Sequence, residues 1–380
     1  MTEPRAGDAV FVETPGPRDL ARYEAAWLDL AARAAEPNVF AESAFVIPAL
    51  VRLAPAGRVA TLLVWSDPAR ETLIGMAALE FPRLPLGLAR VWRSEQAGLA
   101  AIALDRDQAG RALGAILAWL RRERRGVHGL LLPSLETNGP VDRAVKAFAA
   151  RESLRLESRN QRRRAALPAG PTSRFEANLD KKRRKEWARQ RRRLEERGRL
   201  EATAGDDVGG VEAFLALEQR GWKGARGTAL GADPARAAFT REMLGRFAAR
   251  GQLGVHSLAL DGEPIAIGLV LRSGERAFYW KTAYDERFAE YSPGLQLTLD
   301  LSRALERKPG LALIDSCAIS DYPMIDRLWR ARLDVADLAL ALDAGPARGF
   351  ALGLAAAEAK QRLRELAKRA INPLLGRKRS

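Results

Sequence analysis

Between Leu253 and Tyr284 the sequence runs through three strand-length apolar segments, LGVHSLAL, PIAIGLVLR and RAFYWKTAY, with Asp261-Gly262 after the first and Ser273-Gly274 after the second. Two-residue turns of this kind bring consecutive strands side by side and antiparallel. The stretch is therefore expected to be a three-stranded meander, and the rest of the fold must be arranged around it. Alternation along the third strand places Phe278, Trp280, Thr282 and Tyr284 on one face and Tyr279, Lys281, Ala283 and Asp285 on the other. An unpaired ammonium inside an apolar strand is costly, so Lys281 is expected to meet a carboxylate, a phosphate or a substrate group. Asp285 is expected on the same face, and Asp315 and Asp321 are further candidates.

Helices and strands alternate on both sides of the meander. In the first half, helices are predicted at Asp19–Ala35, Gln108–Arg125 and Gly139–Arg151. Strands are predicted at RVATLLVWS, TLIGMAALEF, VHGLLLPS and near Leu154–Arg159. In the second half, Asp207–Trp222 and Asp233–Arg250 read as helices, the latter with Asp233 as N-cap and Pro234 in the first turn. A further helix follows Ser292-Pro293-Gly294. The strands LALIDSCA and VADLALAL come later, around a short helix at Met324–Trp329. This order implies an α/β fold with a mixed sheet, divided at about 1–168, 172–345 and a basic tail at 346–380.

Lys and Arg number 62 against 47 Asp and Glu, a formal net charge of +15, which favours polyanionic partners or a phosphorylated cosubstrate. A single cysteine, Cys317, excludes a disulfide framework, and with only two histidines the usual zinc sites are excluded as well; no metal is expected. The opening residues have no signal-peptide pattern and no run is long enough to span a bilayer, so the expected location is cytoplasmic. Cys317 has no histidine near it in sequence and reads as a small buried residue rather than a nucleophile.

The densest charge lies in DKKRRKEWARQRRRLEERG, from Asp180 to Gly198. As a helix it has one thin apolar seam, Phe175, Leu179, Trp187 and Leu194, which predicts docking along that line. Its remaining faces are cationic, with no zinc finger, zipper or helix-turn-helix pattern beside them. A solvated face or a phosphate contact is expected, and nucleic-acid binding is the weakest of the readings. In the tail, Leu363, Leu366, Ala370 and Leu374 among basic residues form a small amphipathic face that could touch anionic membrane.

Taken together, the hairpin LALDGEPIAIG, the strand FYWKTAYD, the helix start YSPG, the segment IDSCAISDYPMIDRLW, the basic helix and the helix ending LEQRGWKG resemble the BioF2-like or CelD-like acetyltransferases. These are relatives of the FemAB peptidyltransferases within the GNAT superfamily. The resemblance spans about Thr172 to Leu342 and implies tandem GNAT-like domains, the first degenerate. It implies an acyl-CoA donor such as acetyl-CoA, held at Tyr291, Ser292, Pro293 and Gly294, where helix N-terminal amides suit a pyrophosphate. The usual GNAT phosphate loop is absent. For the chemistry it implies Lys281, Tyr284, Asp285 and Asp321, with Glu218, Trp222 and Asp315 facing the acceptor. The acceptor would be an amine or hydroxyl of a small molecule, polysaccharide or cell-envelope precursor. Two other readings stay open: a FemAB-like transferase using aminoacyl-tRNA, and a non-catalytic scaffold binding polyanions.

Overall fold

The computed structural model describes residues 10–82, 87–173, 175–206, 208–320, 322–345, 348–359 and 362–363. The first half comprises β1 (Phe11–Glu13), α1 (Glu24–Arg33), α2 (Ser43–Arg52), β2 (Val59–Trp65), β3 (Leu73–Glu80), β4 (Gly87–Val91) and β5 (Ile102–Leu104). It continues with α3 (Ala109–Glu123), β6 (Val127–Glu136), α4 (Pro140–Arg151) and β7 (Leu156–Pro168). The second half comprises α5 (Lys181–Glu195), β8 (Leu200–Gly205), α6 (Gly209–Arg220), α7 (Trp222–Ala225), α8 (Pro234–Ala249), β9 (Leu253–Leu260), β10 (Glu263–Ser273) and β11 (Arg276–Tyr284). After these come α9 (Pro293–Glu306), β12 (Leu313–Asp315), α10 (Pro323–Leu328) and β13 (Ala331–Ala341).

The meander forms as its turns require. Asp261 and Gly262 both take positive φ and link β9 to β10. The second turn is centred one residue later than expected, on Gly274-Glu275, because Ser273 still pairs with Arg276. Asp233 caps α8 by accepting from the Arg236 N–H at 2.8 Å, as its position before Pro234 predicts.

All the strands join one sheet, in the order β1-β2-β3-β4-β6-β13-β7-β12-β11-β10-β9-β8, with β5 beside β3. In each half an antiparallel run leads to a parallel pair, β4 with β6 and β11 with β12. The last strand of each half then crosses over. β7 pairs with β12 of the second half, and β13 lies between β6 and β7. Strands of the two halves of the chain thus share a single sheet, and β7 is longer than the short strand expected near Leu154–Arg159.

One face of the sheet carries a layer drawn from both halves. Phe40 and Phe45 of the first half meet Phe278 and Phe239 of the second edge-on, with ring centroids 5.5 and 5.4 Å apart. Edge-to-face contacts of this kind add to the area buried. On the opposite face, α3 and α4 cover the first half through Leu113, Ile116 and Phe148. There α9 and α10 cover the second half through Leu301, Ile325 and Trp329. Residues 348–359 are helical and seat Phe350 and Leu354 against Leu88 and Ala339. Leu366, Ala370 and Leu374 of the expected tail helix lie outside the described residues. Among the described residues no helix is long and apolar enough to cross a membrane.

Candidate functional site

Parallel pairing between β11 and β12 lasts three residues, Arg276 with Leu313, Ala277 with Ile314 and Phe278 with Asp315. Beyond it β11 continues to Tyr284 alongside β10, while the other chain turns away through Cys317, which has φ +52°. The two segments therefore part beyond Phe278, and on that side Tyr279–Tyr284 has no strand neighbour among the described residues.

A bulge reshapes this part of β11. Leu269 pairs with Lys281 and Val270 with Tyr279, so Trp280 is an extra residue. Such an insertion breaks the two-residue alternation. Phe278, Trp280 and Ala283 join the core beneath α6 and α8. Tyr279 faces α9 and bonds Thr298 Oγ1 at 3.1 Å, and Tyr284 lies against Gly294 on that same side. The expectation that Lys281 and Asp285 share an uninterrupted face with Tyr279 is thereby corrected. Trp280 also donates from Nε1 to the Gln96 carbonyl at 2.8 Å, tying the first half to the site.

Lys281 is half-buried, its ammonium 5.4 Å from the Trp280 ring. Among the described residues no carboxylate lies within ion-pair distance of it. Burial, then the neighbouring Lys223, pull its pKa down to about 8 against the opposing pull of Glu218. Glu218 is buried and engaged elsewhere: one oxygen meets Lys223 Nζ at 2.7 Å and the other accepts from the Leu230 N–H at 2.7 Å.

Trp222 does not share a helix face with Glu218 as its spacing suggested. Gly221 takes an extended conformation that ends α6, and Trp222, 44% exposed, starts α7. Its N–H donates to Glu286 Oε1 at 2.6 Å. The ring stands beside Arg226 and Lys223, at 5.1 and 6.0 Å.

The acidic candidates are mostly committed. Asp285 accepts from the Arg287 N–H at 3.0 Å and takes that guanidinium on both oxygens, which holds its carboxyl below the usual range. A charge-assisted pair of this kind makes a weak base. Asp315 is buried with Arg164 on one oxygen and the Cys317 N–H on the other, at 2.9 Å for the latter. Burial and the Asp315 charge push the Cys317 thiol up, in keeping with an inert cysteine. Asp321 lies outside the described residues.

At the start of α9, Ser292 adopts the left-handed conformation, and its hydroxyl does not cap the helix. Its carbonyl accepts from Leu295 and Gln296, both at 3.0 Å. Pro293 has no N–H, so Gly294 holds the N–H without a partner among the described residues. A Cβ at Gly294 would stand 3.3 Å from Tyr284 Cδ1, so the tyrosine lies directly on this backbone. Burial, Glu286 and Tyr322 raise the Tyr284 pKa. Tyr291 is buried, with Arg193 5.8 Å from its ring.

The basic helix docks as its seam predicts. Phe175, Leu179, Trp187 and Leu194 are all buried. Gln296 Nε2 donates to the Trp187 carbonyl at 2.9 Å, and Arg191 pairs with Asp300 at 2.7 Å. Lys181, Lys182, Arg183, Arg184 and Lys185 stay exposed. Sequence reasoning missed Lys223, the cation that occupies Glu218, although its place directly after Trp222 in WKG was visible.

A family model described as an acetyltransferase (GNAT) domain matches residues 181–322, the segment that contains α5, the meander, α9 and the divergence. No curated protein matches the chain. Among solved structures, FemX superposes with a TM-score of 0.52 at 13% identity, covering 86% of this chain and 96% of its own. The C-terminal DUF2156 domain of a putative lysylphosphatidylglycerol synthetase from Agrobacterium fabrum gives 0.53 at 10% identity, covering 90% and 96%. A conserved protein of unknown function from Bacteroides thetaiotaomicron gives 0.56 at 9% identity, covering 87% and 100%. At these identities the likeness concerns the fold, a mixed α/β sheet, with the acetyltransferase (GNAT) domain matched over residues 181–322.

Proposed function

We propose that the chain is an acyltransferase that moves an acyl group from a CoA thioester to an amine or hydroxyl beside β11. The observation that carries this reading is Lys281, a desolvated amine with no carboxylate within ion-pair distance among the described residues, beside the parting of β11 and β12. A pKa of about 8 leaves part of the lysine as free amine near neutral pH, which suits a general base. The acceptor's nitrogen or oxygen bonds to the thioester carbonyl carbon and gives its proton to Lys281 Nζ. The carbon–sulfur bond then breaks, and the departing thiolate takes the proton of Tyr284, a phenol that its surroundings keep protonated. The Gly294 N–H at the head of α9 is the backbone donor available to the CoA phosphates.

Under this reading the acceptor approaches past Trp222 from the α6 side, and the donor lies along α9. The family resemblance favours a small molecule, polysaccharide or cell-envelope precursor as acceptor, with the reaction in the cytoplasm. Asp285 braces the turn before α9 through Arg287 rather than serving as the base.

Calorimetric titration with acetyl-CoA and with bulk tRNA tests the donor. Micromolar acetyl-CoA binding that survives moderate salt is expected. Salt-labile tRNA binding without an acetyl-CoA signal would replace this reading with a FemAB-like aminoacyl-tRNA transferase. The exposed cationic face of α5 is the feature that favours that second reading.

A further inference from the structure

The first half repeats the divergence. β4 and β6 run parallel from Gly87 and Val127 to Arg90 and Leu131, and β4 ends at Val91. β6 continues through Ser134, whose φ of +53° matches that of Cys317 in the second half. Here the side chains are guanidinium groups.

Arg162 Nη2 donates to Ser134 Oγ at 2.9 Å and to Asp337 Oδ1 at 2.8 Å. The other oxygen of Asp337 accepts from Asn160 Nδ2 at 2.9 Å. Arg93 Nη1 donates to the Ala97 carbonyl at 2.8 Å, while its Nε is buried without a partner. Arg90, on the last paired residue of β4, also has a buried Nε without a partner, and it makes no ion pair among the described residues. Arg164 is nearby but is balanced by Asp315. Asp337 is bonded by Arg162, and Glu80, which stands opposite Arg90 in the β3–β4 register, is taken up by Arg58 at 2.8 Å. Among the described residues Asp337 is thus the one carboxylate left to set against Arg90, Arg93 and Arg162.

The three guanidinium groups are partly buried, and cations withdrawn from water are ordinarily paired. Here burial first, then the charges of Arg90 and Arg162, push the Arg93 guanidinium below its ordinary pKa. A fold that gathers like charges in this way is relieved by an anion. Two positive charges remain in excess, and guanidinium N–H groups match the oxygens of a phosphate dianion in geometry as well as charge.

We infer that the divergence between β4 and β6 binds a phosphate group of a ligand through Arg90, Arg93 and Arg162. The half that resembles a degenerate acyltransferase domain would then keep a binding function of its own. This inference does not rest on the acyl-transfer reading of the other half.

The test is calorimetry of the full chain with inorganic phosphate at fixed ionic strength in chloride, with succinate as the dicarboxylate comparison. Wild type should bind phosphate, and Arg93→Gln and Arg90→Gln should each weaken it by about tenfold or more. Arg22→Gln, at an exposed arginine outside either site, should leave it unchanged. Without phosphate, Arg93→Gln should melt no lower than wild type, because it removes a repelled charge. Equal phosphate binding by wild type and both variants would overturn the proposal, as would succinate binding as tightly as phosphate. Arg90→Gln removes no hydrogen bond or ion pair among the described residues and so decides the matter if Arg93→Gln does not fold.

Discussion

Glu218 pairs with Lys223 at 2.7 Å, which leaves Lys281 with no carboxylate partner among the described residues. If Lys281 is the base, Lys281→Ala should lower kcat/KM by about 10²-fold or more. Lys281→Arg, which keeps the charge but cannot lose its proton, should not restore it. The rate should rise with pH through about pH 8, where Lys281 deprotonates. An arginine variant as active as wild type would instead assign Lys281 to oxyanion stabilisation.

The same residue links activity to stability. The Lys281 pKa falls from an ordinary 10.5 to about 8 on folding. Between those values the unfolded chain binds more protons than the folded one, so stability rises with pH across that window. The penalty for holding the charge is fully present below about pH 8. Lys281→Met should therefore raise the melting temperature at pH 7 while abolishing turnover. That gain should fade as the pH approaches 10.5, and thermal melts at the two pH values read it directly.

Glu36 behaves in the opposite sense. It is buried beside Glu136 and Arg276, 3.5 Å from the latter, and burial followed by the Glu136 charge raises its pKa from 4.5 to about 7. Between those values the folded chain binds the extra proton, so stability falls as pH rises through the window. Glu36→Gln should stabilise the protein at pH 8 and have little effect at pH 4.5. Equal effects at both values would mean that Glu36 titrates normally.

Much of the second half was legible because its signals are local. The Asp261-Gly262 turn, the Asp233 cap and the Trp187/Leu194 seam each act over a few residues, and each was found where its sequence pattern placed it. What escaped depends on distant partners. β7 reads as polar across Arg162, Arg163 and Arg164, yet each arginine meets an aspartate on a neighbouring strand: Asp337, Asp334 and Asp315. α2 carries Pro48 and is apolar on nearly every side, so it shows no helical stripe. The bulge at Trp280 has no glycine to mark it, and it decides which site residues share a face.

The basic helix separates packing from charge, and mutation can do the same. Trp187 is buried in the apolar cluster that also holds Tyr279 and Trp329, and its carbonyl is held by Gln296. Trp187→Ala removes a large core side chain and should cost about 3–5 kcal/mol, visible in denaturant melts. Lys182 and Arg184 are exposed on the same helix and make no ion pair among the described residues. Replacing both with alanine should leave the melt within about 0.5 kcal/mol of wild type. Acetyl-CoA-dependent turnover should also be preserved, since neither residue lies near β11 or the start of α9 in sequence. If instead the double variant loses tRNA binding and turnover together, the exposed cations hold the donor and the chain works as an aminoacyl-tRNA transferase. Filter binding with bulk tRNA, run beside a CoA-release assay on the same preparation, distinguishes the two.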